Sequence, residues 1–377
     1  MSQGILIIGA SYAGMCSALA LRRNGFEVRI AERSQTTYRR GSGVVVQPRM
    51  EEYLSRNGLE SREAIGVSPV GRRLFRRDGT VQELPTDGTY YTGWDTLLNR
   101  LEAALPEGTI DRGRDLEHLE VGPEYVTARF RTGPPVTADV LIGADGIGSR
   151  TRQILDPPAI PEFAGYVAYR GVVPEKELSE AFRPGMARYF NIVEMSHGQF
   201  LSYPISGPEG RTGPGERRIN WVWYVPDSQD APESLRDRRG VLHRSTVAPG
   251  LVREDVKSHI LGIADREFPP QFQELVAGTE EPFVQRVLDM MPRRMVFGRA
   301  VLVGDAASIV RPHTGSGSAK AVEDATRLAD HLAAAERIDE CAAVETHLAA
   351  WEAERILLNR SLVQRGRTLA SEFGIDE

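Results

Sequence analysis

Four apolar residues in unbroken succession, Ile5-Leu6-Ile7-Ile8, begin the pattern of this chain. A run with no polar alternation predicts a strand covered on both faces, as in a parallel sheet. A helix-like segment follows to about Arg23, where Asn24-Gly25 supplies a stop. Phe26 to Ala31 reads as a second strand ending at Glu32-Arg33. Gly41-Ser42-Gly43 turns the chain into another apolar run, Val44-Val45-Val46. Further on come a helix from Met50 to Asn57 closed by Gly58, and a hairpin across 74–82 turning at Asp78-Gly79. An amphipathic helix from Thr96 to Leu105 is closed by Pro106, and an apolar strand, Val140-Leu141-Ile142, runs into Gly143-Ala144-Asp145-Gly146.

The pattern changes over residues 161–285. Short runs rich in aromatics, around Tyr166–Arg170, Gln199–Tyr203 and Asn220–Val225, are separated by Pro- and Gly-rich turns. They predict an antiparallel sheet inserted as a second domain. After Pro292 the first pattern resumes with the strand 299–303, Gly304-Asp305, and a helix-forming segment from Ser318 to Ala334. The last stretch is helical, with Trp351 as an expected packing anchor. The fold class is therefore α/β.

Length and charge narrow the function. The 377 residues suffice for two or three domains with a sizeable core. A net charge of −6 argues against nucleic acid as a partner. Cys16 and Cys341 give neither a disulfide framework nor metal-ligand spacing, and a reducing cytoplasm is the expected setting. Ile5 to Leu21 is apolar, but no basic segment precedes it and Gly9, Ser11 and Gly14 interrupt it, so no targeting or membrane role is expected.

Two stretches carry chemistry. Gly9-x-Ser11-x-x-Gly14 sits between the first strand and helix, and Glu32 closes the second strand about 20 residues later. That is the arrangement of a dinucleotide-binding unit, with Ser11 in place of the middle glycine. The second stretch is Gly304-Asp305 through Gly315-Ser316-Gly317, an acid at a strand end and a Gly-rich turn feeding a helix. Its backbone N–H groups and helix dipole suit a developing negative charge.

Gly9-x-Ser11-x-x-Gly14, Gly143-Ala144-Asp145-Gly146 and Gly304-Asp305-Ala306-Ala307, in that order, resemble the single-component FAD-dependent aromatic hydroxylases, the p-hydroxybenzoate and salicylate hydroxylase group. Gly43–Pro48, Ala164–Gly171, Ser202–Ile205 and the run from Arg311-Pro312-His313 to Ala321 are similar to the 2,6-dihydroxypyridine 3-monooxygenase branch. Three positions depart from the wider pattern: Ser308 in place of a frequent His, Trp94 in place of an Arg, and Arg49 in place of an Asn.

The resemblance implies an FAD-binding Rossmann-like domain over 1–70, 92–160 and 286–377, with C-terminal helices. A substrate-binding antiparallel β-sheet domain would cover 71–91 and 161–285. It implies FAD held by Gly9, Ser11, Tyr12, Ala13 and Gly14 at the pyrophosphate, and by Glu32 and Arg33 near the ribose. Asp145, Gly304 and Asp305 would follow, with Pro312, Gly315, Ser316 and Gly317 facing the flavin ring. Gly43, Val45, Gln47 and Leu116 complete the expected cofactor contacts. The implied chemistry is hydride transfer from NADH or NADPH to FAD, formation of a flavin C4a-hydroperoxide with dioxygen, and hydroxylation of an electron-rich ring. Tyr203, Trp223, Tyr189 and His313 are the expected substrate contacts, with His313 and Tyr203 the expected catalytic groups. A homodimer is a family-level expectation.

Three other readings compete. Trp221-Val222-Trp223-Tyr224-Val225-Pro226 resembles a flavin halogenase signature, but that class needs a lysine soon after the first βαβ unit, and the chain's only lysines are Lys176, Lys257 and Lys320. A tailoring oxygenase acting on a phenolic natural product would share the fold. A non-catalytic flavin sensor would bind cofactor and show no substrate-stimulated NAD(P)H oxidation.

Overall fold

A computed structural model describes all residues except 1–3, 37–40, 196, 228–232, 336–337, 339–340, 373 and 376–377. β1 (Ile5–Ile8), α1 (Tyr12–Arg23) and β2 (Val28–Glu32) open the chain. Next come β3 (Gly43–Val46), α2 (Pro48–Arg56), α3 (Arg62–Ile65), β4 (Gly71–Phe75), β5 (Val81–Pro85) and β6 (Tyr90–Gly93). α4 (Trp94–Ala103) and β7 (Ile110–Arg112) precede β8 (Leu116–Val121), β9 (Val126–Phe130), β10 (Val136–Ala138), β11 (Val140–Gly143) and α5 (Arg150–Leu155). The inserted part holds β12 (Glu162–Pro174), α6 (Arg183–Arg188), β13 (Tyr189–Glu194), β14 (Gln199–Ile205) and β15 (Arg218–Pro226). It ends with β16 (Thr246–Val247), α7 (Glu254–Glu267), α8 (Pro270–Ala277) and β17 (Phe283–Asp289). β18 (Val296–Phe297), β19 (Ala300–Leu302), α9 (Gly317–Ala334) and α10 (Cys341–Glu372) finish the chain.

β1 explains the first layer. It lies between β2 and β11, parallel to both, in the six-stranded order β18-β19-β11-β1-β2-β7. All four of its residues are buried, as the unbroken apolar run requires. Ile5 and Ile7 point into a core shared with α1, α9 and Trp351. Leu6 and Ile8 point the other way, into a core closed by the small sheet β8-β9-β10. Period-2 alternation thus serves two cores from one strand.

The second layer is an eight-stranded sheet, β16-β17-β12-β15-β14-β13-β4-β5. Alternation again sorts it into two faces. Ile219, Trp221 and Trp223 of β15 and Phe200 of β14 pack under α7 and α8 against Phe268 and Phe272. The intervening residues, Val222 and Tyr224 of β15 with Tyr166 and Ala168 of β12, face the first domain and Ala370 of α10.

The domain expectations meet three local details. The hairpin of 71–85 joins the sheet through a parallel pairing of β4 with β13, the other pairings being antiparallel. β6 pairs with β3 in a separate ribbon, so residues 90–93 belong with the Gly41–Val46 segment. β17 carries the sheet on to Asp289, past the expected edge at 285. Among the described residues, no helix is long and apolar enough to cross a membrane.

Candidate functional site

A cleft of about 540 Å³ runs between the two layers, within the usual range for small-molecule sites. One end is lined by Glu32 and Ser34; the middle by Ala10 to Ala13, Ala144 and Gly146; the far end by Asp305, Pro312, Gly317 and the sheet residues Arg170, Phe283 and Gln285.

The α1 end is a tight backbone cradle. Gly9 has φ +104°, a conformation for glycine, and a Cβ there would lie 2.7 Å from the Ala144 carbonyl oxygen. A Cβ on Gly14 would sit 1.9 Å from the Gly9 carbonyl oxygen. The two glycines therefore lie beneath the turn and let it close, while Ser11, Tyr12 and Ala13 form its cleft-facing surface. Ser11 precedes α1 without a side-chain cap, so the first-turn N–H groups remain available to an anion at the helix N-terminus. Glu32 accepts from the N–H of Ala10 at 2.7 Å and of Ser34 at 2.8 Å, which fixes its carboxylate at the cleft edge. These features fit the pyrophosphate and ribose of a dinucleotide, FAD included.

The second motif is braced from behind. Lys320 of α9 is fully buried, and its Nζ donates to the carbonyl oxygens of Gly304 and Ser308, both at 2.7 Å, and to Ser308 Oγ at 3.0 Å. Asp324 accepts from Gly304 N, Arg355 Nε and Asn359 Nδ2. Arg152 adds bonds to the carbonyls of Asp305 and Ala306. The unusual Ser308 thus meets Lys320 and Asn359. This framework presents Asp305 to the cleft with its side chain 44% exposed. The protein packed around that carboxyl pushes its pKa up, and Lys320 and Arg152 oppose the shift. Burial likewise lowers the pKa of Lys320, against the pull of Asp324 and Asp305.

Other expected cofactor residues are supports. Gly315 has φ +62° and its carbonyl accepts from Gln47 Nε2 at 2.6 Å, tying β3's end to the turn before α9. Ser316 stands before α9 without a side-chain cap, its hydroxyl donating to the Thr314 carbonyl at 3.1 Å, and Gly304 approaches Ala13 so closely that a Cβ would meet its methyl at 2.7 Å. Val45 packs with Tyr91 and Tyr203. Asp145 is occupied in building α5: it accepts from Ser149 Oγ at 2.5 Å, Thr151 N at 3.0 Å and Thr151 Oγ1 at 3.1 Å. Arg33 is exposed. Leu116 is buried with Val126 and Ala128 under the small sheet, away from the cleft.

The expected substrate residues divide more sharply. Tyr203 is buried on the inner face of β14, its ring 4.6 Å from Tyr91 and stacked on Phe190 at 5.2 Å. It presses on Gly43, where a Cβ would lie 2.6 Å from the Tyr203 ring, so it stands directly behind the cleft wall. Trp223 is not brought to the cleft: β15 alternation turns it under α7, against Phe268 at 5.2 Å. Tyr189 lies beneath the Arg73 guanidinium at 3.6 Å, near the β4 edge. His313 turns its ring to α10, with Nε2 2.8 Å from the Gly366 carbonyl oxygen and Nδ1 3.4 Å from the Tyr166 hydroxyl.

Several lining residues fall outside the sequence-based set, among them Trp94, Arg112, Arg170 and Gln285. Trp94 packs on Tyr12 at 5.2 Å, and Arg112 pairs with Glu102 at 2.7 Å. The available signal for Arg170 was strand alternation, since Tyr166, Ala168 and Arg170 share a face.

Known proteins agree with this geometry. Residues 163–289 match the family described as FAD binding domain-like, and 275–366 match the family described as FAD binding domain. A 2,6-dihydroxypyridine 3-monooxygenase of Paenarthrobacter nicotinovorans is 33% identical over 338 residues, covering 86% of this chain and 82% of that protein. A 6-hydroxynicotinate 3-monooxygenase of Pseudomonas fluorescens is 27% identical, covering 87% and 83%. The solved 2,6-dihydroxypyridine-3-hydroxylase of Arthrobacter nicotinovorans superposes with a TM-score of 0.89 at 29% identity, over 98% of this chain and 92% of that one. Fold and cleft define a flavin-binding oxidoreductase. The chain belongs to the FAD-dependent aromatic monooxygenases, the family that includes the 2,6-dihydroxypyridine 3-monooxygenases.

Proposed function

We propose that this protein hydroxylates an electron-rich aromatic ring of the hydroxypyridine or phenol type, taking electrons from NADH or NADPH and oxygen from dioxygen. The observation that carries the reading is the continuity of one cleft from the α1 cradle to the inner face of the inserted sheet. When bound, FAD would supply the two-electron chemistry and oxygen activation that no side chain offers.

The chain's own residues then have separate tasks. Ser11 to Ala13 and Glu32 hold the dinucleotide end. Asp305, Pro312 and Gly317 orient the other end, where the N-terminus of α9 favours negative charge. The aromatic cluster of Tyr91, Phe190 and Tyr203 lies behind the wall and keeps that end dry, which protects reactive oxygen from water. Tyr203 is the best placed of the expected substrate groups. His313 acts mainly by orienting its turn.

The test is NAD(P)H consumption by purified, flavin-loaded protein against a panel of hydroxypyridines and phenols, with product analysis. Stimulated oxidation with a hydroxylated product supports the reading. Cofactor binding with no substrate-stimulated oxidation overturns it.

A further inference from the structure

We propose that Arg170 is the specificity residue for the ring substrate, gripping an ionised ring oxygen or ring carboxylate through its guanidinium. The inference rests on the hydroxylase reading above and adds the charge state of the ligand.

Arg170 sits in the middle of β12, paired with Val222 on one side and Phe283 on the other, and it lines the cleft. Its one hydrogen bond is neutral, from Nη1 to Gln285 Oε1 at 3.0 Å. Its Cζ lies 5.6 Å from the centroid of the Phe283 ring. Nε is buried with no partner. Among the described residues no carboxylate pairs with it. Arg286 of β17 also lines the cleft with a buried, unpartnered Nε, but its guanidinium lies over the Phe163 ring at 4.1 Å; Arg218 is bidentate to Asp95, Arg311 bonds Asp289, and Arg112 bonds Glu102. A guanidinium with its Nε buried and unpartnered and no anion beside it is under-satisfied at a cost, and it stays charged at any working pH. An arriving anion would remove that cost.

Location separates the candidate anions. The anion site at the N-terminus of α1 lies between Ser11 and Ala13, in the opposite layer from Arg170. Arg170 belongs to the sheet wall, close enough that its charge favours the ionised forms of Tyr203 and Tyr224 against the effect of their burial. An aromatic ring entering beneath this wall can stack on Phe283 and present oxygen to the guanidinium fork. Ionisation also enriches the ring in electrons, which suits electrophilic attack by oxygen.

The test uses flavin-loaded wild type, Arg170→Met and Arg170→Lys, titrated anaerobically with 2,6-dihydroxypyridine and with 2,6-dimethoxypyridine, which cannot ionise. Binding is read from the flavin absorbance change. The expected result is a preference for the ionisable ring of on the order of tenfold or more in wild type, the scale of one charge-assisted contact. Arg170→Met should abolish that preference with flavin content and dimethoxypyridine affinity unchanged, and Arg170→Lys should keep part of it. Persistence of the preference in Arg170→Met overturns the inference. So does loss of flavin from both variants, which would assign Arg170 to the cofactor. Wild type that binds neither ring overturns the hydroxypyridine reading as well, a result distinct from the other two.

Discussion

Asn220 of β15 accepts the backbone N–H of Gly43 through Oδ1 at 2.7 Å, joining the inner face of the sheet to the loop that forms the cleft wall. Both residues are buried at the contact, and Tyr203 fills the space beside them. The two layers are thus held at a fixed spacing by a bond between a side chain of one and the backbone of the other. Asn220→Ala should leave the Gly43 N–H unpaired and cost about 1–3 kcal/mol. Denaturant titration should show a lowered midpoint with an unchanged slope, and an unshifted midpoint would remove the bond from the account.

Substitution of Gly14 tests the cofactor cradle. Even a methyl group at this position meets the Gly9 carbonyl oxygen, so Gly14→Asp must displace the turn. The expected product is a folded protein, judged by circular dichroism, that carries no flavin absorbance. Full flavin content in that variant would contradict the placement of FAD on α1.

Lys320→Met tests the bracing of the second motif. It removes three hydrogen bonds and strips the buried Ser308 carbonyl of its lysine donor, while the Gly304 carbonyl keeps the N–H groups of Ala307 and Ser308. A loss of about 2–4 kcal/mol is expected, together with weaker FAD retention because Asp305 rides on the same turn. Thermal unfolding of flavin-loaded and stripped protein separates the two effects. Equal destabilisation of both forms would leave Lys320 a purely structural residue.

His313→Ala should loosen α10 more than it impairs chemistry. The imidazole bonds the Gly366 carbonyl and faces Tyr166 and Tyr224. Hydrogen exchange around residues 364–370 should rise, with ligand affinity within about threefold of wild type, a change below 1 kcal/mol. A drop in turnover of a hundredfold with α10 protection unchanged would restore His313 as a proton-transfer group.

Much of this fold was legible because β1 and α1 are apolar along unbroken runs, as elements buried on all sides must be, and because Gly and Asn mark where they end. The Gly9 to Gly14 cradle was readable for the same reason: turn, helix start and terminal acid are all local. Trp223 was not readable as a core residue. Its neighbours Val222 and Tyr224 are also buried, so composition along β15 does not reveal which face meets α7 and which meets the cleft. Arg170 was hidden differently. Strand alternation puts it on the inner face, but its side chain gains a meaning from the tertiary placement of Gln285 and Phe283 beside it, with no carboxylate pairing it among the described residues.

The interleaving of the two layers bears on how this chain is made. The first sheet needs β19, some 300 residues from the N-terminus, before β11 has its outer neighbour, and α9 must arrive before α1 is covered. The inserted sheet in turn waits for β13 to meet a hairpin translated more than a hundred residues earlier. The inserted sheet has all its strands by Asp289, but the first sheet is incomplete until β19 and α9 follow, so the hydrophobic strands near the start stay unpartnered until synthesis is nearly finished. Slow release or a premature stop would therefore yield aggregation-prone fragments rather than a working half-enzyme.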